Sequence, residues 1–75
     1  MAREPFLWET IRDTLRARIK AGIYPAGSKI PSVRLLADEF ETSRMTVRRA
    51  VDYLVERDEL NSRVGIGIFV PNESR

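Results

Sequence analysis

The sequence predicts an α+β domain in which three helices are followed by a small antiparallel β-hairpin. Three observations point to it. Three separate stretches carry apolar residues at helical spacing. Only Glu41-Thr42-Ser43 parts the second stretch from the third. Beyond Leu60 the pattern changes to short β-prone runs around two closely spaced glycines. Apolar positions at i, i+3, i+4 and i+7 mark amphipathic helices, and short β-prone runs parted by glycines mark a hairpin.

The first helix is expected over residues 6–21. Leu7, Ile11, Leu15 and Ile19 recur every four residues as one stripe. Pro5 suits its start and Gly22 its end. Arg12, Arg16, Arg18 and Lys20 fall mostly off that stripe. They read either as a solvated face or as one or two contacts to a phosphate backbone.

Prolines and a glycine then break the helical pattern between Ile23 and Pro31. Pro25 and Gly27 supply turn chemistry. Ile23 and Ile30 are expected to flank the turn and could pair as short extended segments that plug the core. Ser32 is the expected N-cap of the second helix, because its hydroxyl can accept from a free N–H. Val33, Leu36, Ala37 and Phe40 form its apolar face. Ser43 caps a third helix reaching about residue 57, with Val47, Ala50, Val51 and Leu54 as its core face. Two short amphipathic helices joined by so short a turn form a helix-turn-helix. Strands are expected over residues 60–64 and 68–70, with Gly65-Ile66-Gly67 as the tight turn. Residues 71–75 are expected to fray.

With 75 residues the chain makes one domain, its core expected over about residues 6–71. A domain of this size buries only about 60% of its unfolded surface. It has little room for an interior ligand pocket of ~300 Å³ or more, so no small-molecule ligand is expected within it. Charged residues make up 32% and hydrophobic ones 43%, a globular balance. The net charge of +2 permits a nucleic-acid partner without requiring one, so the placement of the charges decides. No cysteine and no histidine occur. Disulfides, zinc knuckles and thiol or imidazole catalysis are thereby excluded, and no cofactor is expected. No apolar run approaches the ~20 residues of a membrane helix, and no signal-peptide pattern opens the chain. A cytoplasmic protein is the expectation.

The third helix carries the chemistry. Beyond its core face stand Met45, Arg48, Arg49 and Asp52, with Arg44 and Thr46 flanking the first turn. No acid interrupts Arg44, Arg48 and Arg49. Arginine reads guanine bidentately through O6 and N7. A helix entering the major groove presents its N-terminal residues to base edges. Arg44 and Arg48 are therefore assigned to DNA. The competing reading for these arginines is surface pairing with Glu41, Asp52 or Glu56, and it weighs most for Arg49, which could reach Asp52 or Glu56 in the next turn. Met45 is either accidentally exposed or packed on a thymine methyl. At the start of the second helix, Ser32 and Arg34 could meet a backbone phosphate at the free N–H groups, and Lys29 lies just upstream. Asp38, Glu39 and Glu41 should face away. The carboxylate pairs Asp38/Glu39 and Asp58/Glu59 look solvated, and Gly65-x-Gly67 is too short for a nucleotide fingerprint. No enzyme is expected.

Four blocks in order closely resemble the DNA-binding domain of GntR-family transcription regulators. They are Pro25-Ala26-Gly27-Ser28-Lys29-Ile30-Pro31-Ser32-Val33-Arg34, Leu36-Ala37, Ser43-Arg44-Met45-Thr46-Val47-Arg48-Arg49-Ala50, and Gly65-x-Gly67-x-Phe69-Val70. The resemblance implies a winged helix-turn-helix. It implies dimeric binding to inverted-repeat operators, mostly in repression, so double-stranded DNA and a second copy of the chain are the expected partners. It implies DNA contacts at Arg34, Arg44 and Arg48, with Met45 and Thr46 facing the groove. It also places the wing tip, Gly65, Ile66 and Gly67, near the minor groove. Ser32, Ser43 and Arg49 complete the expected DNA-binding set.

The chain departs from the family pattern at four positions. Glu41 and Asp58 stand where glycine is usual, Ile66 where a basic or polar residue is usual, and Ile68 where threonine is usual. Glu41 must then tolerate a strained dihedral or adopt another turn. The wing, with Ile66 at its tip, is expected to add little sequence preference. Family members continue into a ligand-binding and dimerising effector domain, which these residues do not contain. An excised domain and a short stand-alone regulator both fit. The competing functional class is a winged helix used to bind protein, and a cationic recognition face argues against it.

Overall fold

The computed structural model describes residues 7–72. The elements run α1 (Leu7–Lys20), α2 (Val33–Phe40), α3 (Arg44–Glu56), β1 (Asn61–Arg63) and β2 (Gly67–Phe69). The architecture is the expected winged helix-turn-helix. Phe6 and Pro5 of the expected first helix lie outside the described residues, as do residues 73–75 of the tail.

α3 is the central element, packed by α1 on one side and α2 on the other. Ile11 and Leu15 of α1, Leu36 and Ala37 of α2, and Val47, Ala50, Val51 and Leu54 of α3 are all buried. These are the positions that helical spacing selects. Leu7, Ile19, Val33 and Phe40 pack half-buried at the margin. Each fully buried aliphatic side chain contributes about 1.5–3 kcal/mol.

Side chains cap both helices of the helix-turn-helix. Ser32 Oγ accepts from the Leu35 N–H at 3.1 Å, and Ser43 Oγ from the Thr46 N–H at 3.2 Å. Their C-terminal ends are also alike. The Thr42 N–H donates to the Ala37 carbonyl, and the Glu41 N–H to that of Asp38. At the end of α3 the Glu59 N–H donates to Leu54 and the Asp58 N–H to Val55. Both are Schellman closures, which need a left-handed residue. Glu41 (φ 54°) and Asp58 (φ 62°) supply it without being glycine. At both positions the chain therefore keeps a left-handed closure and accepts its strain.

Two expectations are corrected in the connector and the wing. Ile30 fills the core at 2% exposure, but Ile23 is 64% exposed. Tyr24 takes the place expected for Ile23, and its hydroxyl accepts from Arg18 at 2.7 Å. Nor does the Ile30 segment pair with the Ile23 segment. It adds to β2 instead: the Gly27 N–H donates to Val70, the Val70 N–H to Ser28 and the Ile30 N–H to Ile68. The wing thus has three bonded segments, the third held by a bridge between Lys29 and Phe69.

The hairpin pairs Asn61 with Phe69 and Arg63 with Gly67. Its turn is Val64-Gly65-Ile66, one residue earlier than expected, and Gly67 is the first residue of β2. Leu60 precedes β1 as a buried anchor, whereas Ile68 and Val70 face the core. In the expected frayed tail, Pro71 is half-buried and the Asn72 side chain lies against Gly27.

Candidate nucleic-acid interface

The basic residues divide into those that hold the fold and those that are left free. On α1, Arg16 grips Glu59 with two bonds of 2.8 and 2.9 Å. The hydrogen bond from Arg16 holds the Glu59 carboxyl below the usual glutamate range. Arg18 reaches Glu39 and the Tyr24 hydroxyl. Its guanidinium is pushed up chiefly by Glu39, and Glu39 is lowered in return. These pairs tie α1 to the C-terminal end of α2 and to the segment that follows α3. Arg16 and Arg18 are therefore neither a solvated face nor free for phosphate. Glu39 and Glu59 are likewise engaged, while Asp38, Glu39 and Asp58 remain exposed to solvent as expected.

Arg12 bonds Asp13 at 2.9 Å and lies against the touching rings of Trp8 and Tyr53, 5.3 and 4.9 Å from their centroids. Arg49 lies over the Trp8 ring, 4.5 Å from its centroid. It makes no pair with Asp52 or Glu56, so the competing reading for it is not the one realised. Asp52 is instead 3.6 Å from Arg48, with both side chains more than half exposed. So exposed a contact is worth little, and Arg48 can leave it at small cost.

The start of α2, the first turns of α3 and the wing enclose an open cleft of ≈ 470 Å³. Lys29, Arg34, Arg44, Arg48 and Arg63 line it, and no carboxylate does. Ser32, Gly65, Ile66 and Gly67 complete the wall from the sequence-predicted set. Met45 and Arg49 line a second hollow with Trp8, Asp52, Tyr53 and Glu56, and Arg48 borders both. Ser43 and Thr46 line neither; their hydroxyls bond each other at 3.0 Å. Met45 stands 80% exposed beside the arginines. Among the described residues, Lys29, Arg34 and Arg44 have no ion-pair partner. A low-dielectric wall with one sign of charge focuses potential outward and draws a polyanion.

Sequence reasoning left Lys29 and Arg63 out of the site. Lys29 alternates with the buried Ile30 in an extended segment, which was the available signal for an outward side chain. Val64, 98% exposed at the wing turn, was also missed because it was assigned to a strand.

Residues 7–70 match a family model described as bacterial regulatory proteins, gntR family. Among similar proteins, the HTH-type transcriptional regulator GmuR of Bacillus subtilis is 43% identical over 63 residues, covering 84% of this chain and 27% of that protein. The mannosyl-D-glycerate transport/metabolism system repressor MngR of Escherichia coli is 38% identical over 97% of this chain and 30% of its own length. The chain thus spans less than a third of these relatives. A GntR family transcriptional regulator from Listeria monocytogenes superposes with a TM-score of 0.88 at 29% identity, over 97% of this chain and 63% of that one. AraR(DBD), solved in complex with operator ORE1, gives a TM-score of 0.83 at 30% identity, over 93% of this chain and 82% of that one.

Proposed function

The chain belongs to the GntR family of bacterial regulatory proteins, and from that premise we propose that it is a DNA-binding module that reads an operator and represses transcription in the cytoplasm. α3 enters the major groove, with Arg44 and Arg48 directed at base edges. Ser32 and Arg34 hold a backbone phosphate at the start of α2. Two copies occupy an inverted repeat, because a two-fold DNA site matches a two-fold arrangement of protein.

The observation that carries this reading is the cleft walled by Lys29, Arg34, Arg44, Arg48 and Arg63 without a carboxylate. The repressor name of MngR and the operator complex of AraR(DBD) support the same direction. The chain acts by binding rather than by catalysis, since it offers no histidine or cysteine to activate a nucleophile.

Selection of bound sites from random duplex DNA tests the proposal. It should recover a two-fold symmetric motif with half-sites about one helical turn apart. Recovery of no enriched motif would remove the operator reading and turn attention to the exposed apolar residues Met45, Val64 and Ile66 as a protein-binding surface.

A further inference from the structure

The wing's tip carries no charge, yet its base does. Lys29 pairs with Phe69 and Arg63 pairs with Gly67 across the three-segment sheet. Alternation along β2 sends Ile68 to the core and leaves Gly67 and Phe69 on the outer face. Lys29 and Arg63 share that face from opposite sides of β2. The Lys29 side chain runs over Gly67: a Cβ there would stand 2.5 Å from Lys29 Cε and 3.3 Å from Nζ. Gly67 therefore provides the floor on which the lysine lies, and its φ of 148° also disfavours any larger residue. Arg63 rests over Phe69, 5.7 Å from the ring centroid. Each cation is steered by packing, and neither has a carboxylate partner among the described residues. Both line the same cleft, whose wall holds no carboxylate, so an anion entering it meets two uncompensated cations.

We propose that Lys29 and Arg63 form a clamp at the base of the wing that grips the DNA phosphate backbone, so that the wing contributes charge from its outer sheet face and not from its Ile66 tip. This rests on the cleft being a DNA interface. The Lys29 ammonium serves as a point charge laid along Gly67, and the Arg63 guanidinium as a fork braced on Phe69. Gly67 holds the lysine in place without touching the phosphate.

The test is equilibrium binding of the 75-residue chain to a short mixed-sequence DNA duplex over a series of salt concentrations. The expected result is that Lys29→Gln and Arg63→Gln each reduce the slope of log affinity against log salt by about 0.9, and that the double variant reduces it by about twice that. Lys29→Arg keeps the slope. Lys20→Gln, on an exposed residue that lines neither hollow, leaves it unchanged. Thermal melts alongside show that each variant is folded. An unchanged slope in the folded double variant, with normal binding by the unaltered chain, overturns the clamp alone. Failure of the unaltered chain to bind any duplex at low salt overturns the DNA reading, and the clamp with it.

Discussion

Glu41→Gly should stabilise the domain. Glu41 closes α2 at φ 54° and ψ 52°, with its N–H turned back to the helix carbonyls. A Cβ in the left-handed region costs roughly 1–2 kcal/mol relative to the ordinary conformation. Its carboxylate also sits at the negative end of the helix dipole, an unfavourable placement of about 0.3–1 kcal/mol. Against these gains, glycine restores freedom to the unfolded chain, a loss of about 0.4–1 kcal/mol. The net is a gain of about 1 kcal/mol, which for a domain of this size raises Tm by roughly 4–8 °C. Glu41→Ala separates the causes, because it removes the carboxylate but keeps the Cβ. Its gain should be about half as large or less. Chemical and thermal denaturation followed by circular dichroism would read both variants. If Glu41→Gly is neutral or destabilising, or if Glu41→Ala matches it, the strain argument fails. Asp58→Gly should gain less, since aspartate tolerates the left-handed region better.

Three further outcomes are expected. Ile66→Ala should change DNA affinity by less than about 1.5 kcal/mol, the scale of a mismatched base pair. Ile66→Arg should tighten binding and steepen its salt dependence; a larger loss for alanine would mark the isoleucine as a wedge between bases. The Glu59 carboxyl is held low by Arg16, so its contribution to stability is present above the ordinary glutamate range near 4.3 and is lost as pH falls through the lowered folded value. Melting between pH 6 and pH 3 should therefore show a fall that Glu59→Gln flattens, with a cost of about 1 kcal/mol to the variant at neutral pH; an unflattened fall would remove the Arg16 pair from the account. Sedimentation of the chain without DNA should give a monomer, because one small core absorbs most of the apolar side chains; a stable dimer in dilute solution would contradict this.

The helices and their caps were legible because each rests on local spacing. The apolar stripes, Ser32 and Ser43 all act within two turns of chain. Even the strain at Glu41 was visible, as a charged residue where the family pattern calls for glycine; at Asp58 only the departure itself was. The wing was harder. Strands of three residues carry too little alternation to fix a register, so the turn was placed one residue late. Ile23 and Tyr24 are adjacent, and only the packed structure decides which one turns inward. Ion pairing also escaped local reading, because Arg16 and Glu59 are 43 positions apart. The division of the arginines into fold-holding and free sets follows from such long-range contacts. So does the placement of Lys29, whose neighbour Gly67 lies on another segment of the sheet.

The central claim is that α3 reads DNA sequence through its first turns. It is tested most directly by measuring the affinity of the chain, Arg44→Ala and Arg48→Ala for a selected operator and for its single-base-pair variants. Each substitution should weaken operator binding by about 1–3 kcal/mol and erase discrimination at one base pair while leaving the others intact. Retained discrimination at every position, accompanied by a fall in Tm, would show that these arginines support the fold and do not read the groove.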